Sequence, residues 1–299
     1  MDIHERPCPV CGGKDYTLFA KEKVERDKIT QSTYSSRKEP EFMRFRLVRC
    51  RDCELVYAPS IPDMSFLDSA YGEASYDSDE EARRAALSYA KALSPYVDRL
   101  QNKQDAVDVG AGNGALLPLL KKQGFARVIG IEPSQAAIDA APDDVRRFLR
   151  KGLFTQEMIE DLHPSLMCSF MTLEHMPNPD DFVKASYSAL SAGGGVAVVV
   201  HNYQGALNSL LGLRSPIMDI EHLQLFCPKA IKTLLSNAGF ENIAVEPLKN
   251  EYPLRYWLRL SPLPKVAKSF IARLLEKLNI SHSQFSFNVG NLLAVGWKR

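Results

Sequence analysis

Asp105–Phe125 reads DAVDVGAGNGALLPLLKKQGF. A short apolar run passes into Gly110-x-Gly112-x-Gly114, and a helical pattern follows at once. Strand, glycine turn and helix in that order let a backbone approach a nucleotide closely, because glycine adopts left-handed conformations and offers no Cβ to a ligand. Three glycines in five residues cost chain entropy, which argues against a turn that serves no ligand. A P-loop is excluded, because no Gly-Lys-Ser/Thr follows. Gly110 to Ala115 also satisfies the relaxed dinucleotide pattern G-x-G-x-x-A, so the turn alone leaves the ligand open.

Outward from this turn, strands and helices alternate. ARVIGIE is a predicted strand, SQAAIDAA a helix and VRRFL a short strand. LMCSFMTL is a strand and PDDFVKASYSALSAG a helix stopped at Gly193. GVAVVVHN is a strand, CPKAIKTLLSNAGF a helix stopped at Gly239, and NIAVEPL and NLLAVGWKR are closing strands. Such alternation predicts an α/β fold, a Rossmann-like parallel sheet with helices on both faces. The last two strands would make one edge antiparallel. Two segments interrupt the pattern, 203–221 and 250–287. Upstream, DSDEEARRAALSYAKALSPYVDRL starts with acids, as a helix should, and carries apolar groups at helical spacing.

Three features bear on the ligand. Asp108 precedes the first glycine by two residues, and a carboxylate there suits a cationic ligand end better than a pyrophosphate. S-adenosylmethionine carries a sulfonium and an ammonium. Glu132 ends the second strand, where a carboxylate accepts two hydrogen bonds from a ribose diol. Glu174-His175 ends the fourth strand in FMTLEHMPNP; ligands of open α/β sheets sit beyond strand carboxyl ends, so Glu174 is a candidate cofactor contact. With DVGAGNG, IGIEPS, TLEHMPNP, LSAGGGVAVVV, HLQLFCPKAIKTLLSNAGF and the terminal strand, the chain from about residue 82 onward resembles class I S-adenosylmethionine-dependent methyltransferases. The resemblance implies a seven-stranded sheet and S-adenosylmethionine as cofactor. It implies that Gly110, Gly112 and Gly114 receive the methionine part, that Asp108 lies near its amino group, and that Glu132 takes the ribose. Leu153 and Phe154 would flank the adenine.

The six cysteines include two C-x-x-C pairs, Cys8/Cys11 and Cys50/Cys53. In a reducing compartment such pairs read as metal ligands before disulfides. Four thiolates make a closed tetrahedral zinc site, structural rather than catalytic, in a zinc-ribbon-like module over residues 1–60 whose stability the metal would largely supply. His4 is a spare ligand. MRFRLVRC leads into the second pair as a strand, and the polar stretch 21–42 is a loop or ragged hairpin. Cys168 and Cys227 read as small apolar residues. The expected organisation is the zinc module 1–60, a helical connector and lid over 61–104, and a methyltransferase domain over 105–299 with an insertion at 250–287.

CPVCGG and RCRDCELVYAP ahead of such a domain resemble bacterial sugar methyltransferases, including C-methyltransferases of nucleotide-linked deoxysugars. In that group the zinc module helps to form the substrate site, and a further C-terminal Rossmann-like domain follows. These 299 residues leave no room for one, so a sugar of another kind is the expected acceptor. The resemblance marks Glu221-His222 as the catalytic pair. His222 is a general base near neutral pH or a cap of the helix that follows. Tyr71 and Tyr76 are loop tyrosines or, as in similar enzymes, a lid over cofactor and substrate; Tyr76 is the catalytic candidate. His175 reads as a structural turn beside the cofactor and His201 as a polar group at a strand end.

The chain is 45% hydrophobic and 24% charged, with net charge +1. That composition suits a globular protein and argues against a partner gripped by a strong overall field, such as duplex nucleic acid. No apolar h-region opens the chain and no run is long enough to span a bilayer, which predicts a cytoplasmic protein. Segment 250–287 is basic with interleaved aromatics. It is a surface that touches the inner membrane and reaches a lipid-linked glycan, or else a helical cover of the pocket or a dimer contact. The expected function is methylation of a carbohydrate, in surface-polysaccharide or related sugar biosynthesis, on oxygen first and carbon second, with a small-molecule or glycan substrate and the oligomeric state open. The rivals are a ribosomal-RNA methyltransferase bearing a zinc module, whose Asn-Pro-Pro-Tyr motif is missing from TLEHMPNP, and a non-enzymatic zinc-dependent binding protein.

Overall fold

In the computed structural model, residues 3–25, 31–34, 41–73, 76, 79–261, 263–278, 280–281 and 283–299 are described. The chain opens with β1 (Ile3–Glu5), β2 (Tyr16–Ala20), β3 (Leu47–Cys50), β4 (Val56–Tyr57) and β5 (Ser60–Pro62), followed by helices α1 (Met64–Gly72) and α2 (Asp79–Val97). Asp79, Glu80 and Glu81 fill the first turn of α2, where the helix dipole favours anions. Then come β6 (Asp105–Val109), α3 (Leu117–Lys122), β7 (Arg127–Glu132), α4 (Gln135–Asp139), α5 (Asp143–Arg146) and β8 (Leu149–Lys151). Next are β9 (Pro164–Phe170), α6 (Pro179–Ala189), β10 (Gly195–His201) and α7 (Ala206–Leu211). The chain closes with β11 (Gln224–Leu225), α8 (Pro228–Asn237), β12 (Glu241–Pro253), α9 (Leu254–Leu260), α10 (Lys265–Lys277) and β13 (Gln284–Trp297).

The main sheet has seven strands in the order β12-β13-β10-β9-β6-β7-β8. β9 lies at its centre, and β6 beside it is flanked on both sides, with Val107 opposite both Ile129 of β7 and Met167 of β9. Every residue of β6 and β9 is buried, so neither strand shows the buried–exposed alternation of a half-solvated one, as suits strands covered on both faces. This is the class I methyltransferase architecture. β13 runs antiparallel to both β10 and β12, so the reversed strand is inserted next to the edge rather than forming the edge itself.

One element differs from its sequence pattern. Val145–Leu149 was expected as a strand, but the chain makes the short helix α5 and then β8 one step later. Pro142 presets the first turn, and Asp143 and Asp144 suit a helix N-terminus. Arg146 then donates to the carbonyls of Asp139 and Ala141, which closes the segment on itself.

The cysteine-bearing segment shares structure with the rest of the chain. β2, β3 and β4 form a sheet whose fourth strand is β11, contributed by residues 224–225. A bridge between Lys23 and Arg44 and a 3-10 turn at Gln31–Tyr34 stand within the stretch expected as loop; its residues 26–30 and 35–40 lie outside the described ones. One continuous core contains Val48, Leu55 and Tyr57 together with Leu225, Phe226 and Ile231.

Arg6 ties these parts together. Its guanidinium donates to the carbonyls of Ala58 at 3.0 Å and Leu223 at 3.0 Å, to Gln224 Oε1 at 2.9 Å, and to the Pro177 carbonyl. Burial lowers its pKa to about 10. Gln224 in turn donates from Nε2 to the carbonyls of Leu173 and Met176. Replacing Arg6 by Met would strand several buried carbonyls, so Arg6→Met should lower unfolding free energy in urea by ~3 kcal/mol. A loss under ~0.5 kcal/mol, the level of an ordinary surface change, would show that the clamp is dispensable.

Candidate active site

A cleft of about 1820 Å³ opens at the carboxyl ends of β6, β7, β9 and β10. Its floor is the glycine turn, held by hydrogen bonds from the Gly110 and Ala111 amides to the Ile131 carbonyl at 2.9 and 3.1 Å. All three glycines of the turn have positive φ. Their reasons differ. A Cβ on Gly110 would stand 2.2 Å from Thr172 Oγ1, and one on Gly114 2.7 Å from Val145 Cγ1, so packing alone demands glycine there. A Cβ on Gly112 would meet only the Tyr76 ring, at 4.0 Å. That position opens onto the cleft and is where a ligand can lie against the backbone.

Two buried carboxylates face this space. Burial and the neighbouring Glu132 push Asp108 up to about 7. Burial also raises Glu132, while bonds from the Gly112 amide at 2.8 Å and the Ser134 amide at 2.9 Å hold it down. A buried anion pair of this kind favours a cationic ligand, which relieves the desolvation of both acids. Leu153 and Phe154 line the next wall, Phe154 standing edge-on to Phe182 at 5.5 Å.

Three histidines gather on the opposite wall. The His222 ring lies 4.9 Å from His175 and 5.1 Å from His201. His222 Nδ1 is 2.9 Å from the Ile217 carbonyl and His175 Nδ1 3.0 Å from the Glu221 carbonyl. A carbonyl only accepts, so both rings donate Nδ1–H there, and in the neutral ring Nε2 is then the nitrogen that carries the lone pair. His201 Nδ1 faces Asn291 Oδ1 at 3.0 Å, and Asn291 donates its amide to Asn250 Oδ1 at 2.9 Å. Burial lowers His201 to about 4. Glu221 Oε1 stands 3.9 Å from His222 Nε2.

Residues 79–245 match the family model described as Methyltransferase domain. The chain belongs to this methyltransferase family. No curated protein matches it. Among solved structures, a methyltransferase of Thermotoga maritima, described as a possible histamine N-methyltransferase, shares 20% identity over 73% of this chain and 91% of its own, with TM-score 0.47. One from Archaeoglobus fulgidus shares 18% over 79% of this chain and 100% of its own, with TM-score 0.45. The plantazolicin methyltransferase BpumL, in complex with SAH, shares 16% over 80% and 91%, with TM-score 0.48. The protein is an S-adenosylmethionine-dependent methyltransferase, and the open Gly112 and the carboxylates of Asp108 and Glu132 fit that cofactor.

The other candidates of this methyltransferase fall as follows. Tyr76 covers the glycine turn at Gly112. Tyr71 lines the cleft, its hydroxyl 3.4 Å from the Glu221 carbonyl and its ring 5.9 Å from His175. His222 does not cap the helix that follows: α8 begins at Pro228 with Cys227 before it, and the His222 ring stays in the cleft. Glu174 departs from expectation. It is fully buried behind the cleft wall, its Oε1 accepting the His201 amide at 2.5 Å, and burial raises it to about 7. The reason is the turn after β9, which sends His175 into the cleft and Glu174 towards β10. The sequence signal missed was collective: His175, His201 and His222 were each weighed alone, although each follows a strand end or abuts the segment before β11.

Among the described residues, only Cys8, Cys11, Cys50 and Cys53 form a group of three or more potential ligands close enough for a metal, their Sγ atoms all within 4.8 Å. Cys8 and Cys53 approach to 3.4 Å and Cys11 and Cys50 to 3.5 Å, and none is in a disulfide. Four sulfurs so placed fit a tetrahedral thiophilic ion. The His4 side chain lies outside the described residues. Cys168 and Cys227 are buried. No helix among the described residues is long and apolar enough to cross a membrane.

A carboxyl near 7 makes cation binding pH-dependent. Below that pKa Asp108 is neutral; above it the charge is present. Affinity for S-adenosylmethionine should therefore fall about tenfold from pH 8 to pH 6, and Asp108→Asn should flatten that dependence. Titration calorimetry at the two pH values checks it; an unchanged slope in the variant assigns the dependence elsewhere.

Proposed function

We propose that this methyltransferase methylates a hydroxyl of a carbohydrate, with His222 as the base. The observation that carries the reading is the cleft wall on which His222 donates Nδ1–H to the Ile217 carbonyl at 2.9 Å, an orientation that leaves Nε2 for the acceptor's proton. Bound S-adenosylmethionine supplies an electrophilic methyl carbon. With that donor bound, the acceptor oxygen would form its bond to the methyl carbon as the carbon–sulfur bond broke, sulfur keeping the electron pair as the neutral thioether of S-adenosylhomocysteine, and the acceptor proton would pass to His222 Nε2. Glu221, 3.9 Å away, steadies the imidazolium, and Tyr76 closes over the turn to exclude water. Asp108 and Glu132 hold the ammonium and the ribose diol.

The carbohydrate part rests on the wall next to His201. Asn250 and Asn291 line the cleft there, with Tyr252, Tyr256 and Trp257. Amides match hydroxyls in donors and acceptors, and aromatic faces match the apolar face of a sugar ring. His222→Gln should lower kcat by ~10²–10⁴ while leaving binding of S-adenosylhomocysteine intact. Transfer of labelled methyl into a carbohydrate panel, with RNA alongside, tests the acceptor class. Label entering RNA, or full activity in the variant, contradicts the reading.

The four cysteines, in the same reading, hold one structural zinc at the root of the β2-β3-β4-β11 sheet. Elemental analysis should find about one zinc per chain, and Cys53→Ser should lose the metal and stability together. Protein purified without zinc yet equally stable would remove the ion from the account.

A further inference from the structure

The hairpin tip between β12 and β13 has a surface that the cleft does not use. Residues 254–287 carry six Lys and Arg against one acid, Glu276, in a chain of net charge +1. On α10, Ile271 and Leu275 are half-buried. Beside them Val266, Phe270, Leu274 and the C-cap Leu278 recur at every fourth position, exposed at 83%, 71%, 45% and 57%. That spacing makes one stripe along a helix. Phe285 and Phe287, stacked at 6.3 Å on the same hairpin, are exposed as well.

This stripe borders the mouth of the cleft. Leu263, Pro264 and Lys268, from the α9–α10 turn and the start of α10, line the cleft, and so does Leu207 of α7. Leu210, the next outward residue of α7, is 83% exposed. Apolar side chains at such exposure rarely stand together on a monomer without a partner.

We propose that this face rests on an anionic bilayer and that the acceptor is the polar head of an amphiphile whose apolar part stays in the membrane. An amphipathic helix with cations beside its apolar stripe binds such an interface in its plane. The charge favours lipid over a second copy of the chain. A two-fold pairing through α10 would bring Arg273 and Lys277 of both copies, all exposed, into one interface, with one acid per helix to offset them. The proposal rests on the cleft being the acceptor site; it does not depend on the acceptor being a sugar.

Full-length protein is sedimented with vesicles of phosphatidylcholine alone and with vesicles containing about 30 mol% phosphatidylglycerol. Partition should rise on the anionic vesicles. Arg273→Gln/Lys277→Gln should lower it by about fivefold for each cation removed. Val266→Ser/Phe270→Ser should lower it at least about tenfold on either vesicle. Both variants should keep the melting temperature and the S-adenosylhomocysteine affinity of the parent, which separates loss of docking from misfolding or failure of the cofactor site. Equal partition on neutral and anionic vesicles, or partition untouched by either variant, overturns the proposal. So does a dimer in sedimentation equilibrium that Phe270→Ser abolishes.

Discussion

The guanidinium of Arg6 is the contact on which the site depends. Its partners are the carbonyls of Ala58, Pro177 and Leu223 and the amide oxygen of Gln224, drawn from three stretches far apart in the chain. Those stretches lead directly to the cleft. His175 precedes Pro177 by two residues, and His222 precedes Leu223 by one. A buried cation among neutral acceptors must keep them all or suffer its desolvation unpaid. The cysteine-bearing segment therefore acts as a brace on the histidine wall, and the pairing of β4 with β11 extends that brace as backbone hydrogen bonds.

Opposite the brace lies the electrostatic half of the cleft. Asp108 and Glu132 stand towards the carboxyl ends of the adjacent strands β6 and β7, buried, with Glu132 raising Asp108. Glu132 is partly stabilised by two amides, whereas Asp108 relies on whatever fills the space. Such preorganised charge is strained without a cation and relaxed with one, which is how a rigid sheet can select a charged cofactor. Of the histidines, His175 and His222 are oriented by backbone carbonyls and His201 by Asn291, and burial lowers His201 to about 4. Anionic and imidazole groups thus line one cleft, oriented by buried partners.

Much of the fold was legible in the sequence because it depends on local chemistry. The glycine turn, the strands β6, β7, β9 and β10, and the helix stop at Gly239 are short-range signals, whereas α6 already ends at Ala189, four residues before Gly193. The place of β13 beside β10 was partly legible, since the closing strands were evident but their order was not. What stayed hidden depends on long-range contact. β11 is two residues long, too short for any period, and becomes a strand only because β4 lies beside it. Arg6 stands in a polar N-terminal run that gives no hint of a buried donor. α5 was hidden by VRRFL, whose alternation suits a strand, although Pro142 and two acids precede it. The inward turn of Glu174 follows from the amide of His201, 27 residues away. At the candidate site, single residues were nameable from motifs, whereas the convergence of three imidazoles required the fold.

The central claim is that the cleft above Gly112 and Glu132 binds the methyl donor. Calorimetric titration of the full chain with S-adenosylhomocysteine tests it most directly, with Glu132→Ala as the comparison. The account predicts saturable binding at about one ligand per chain, weakened at least about tenfold when the two ribose hydrogen bonds are lost. Binding of equal strength in the variant would place the cofactor elsewhere, and absence of binding to a well-folded parent would contradict the assignment of the cleft.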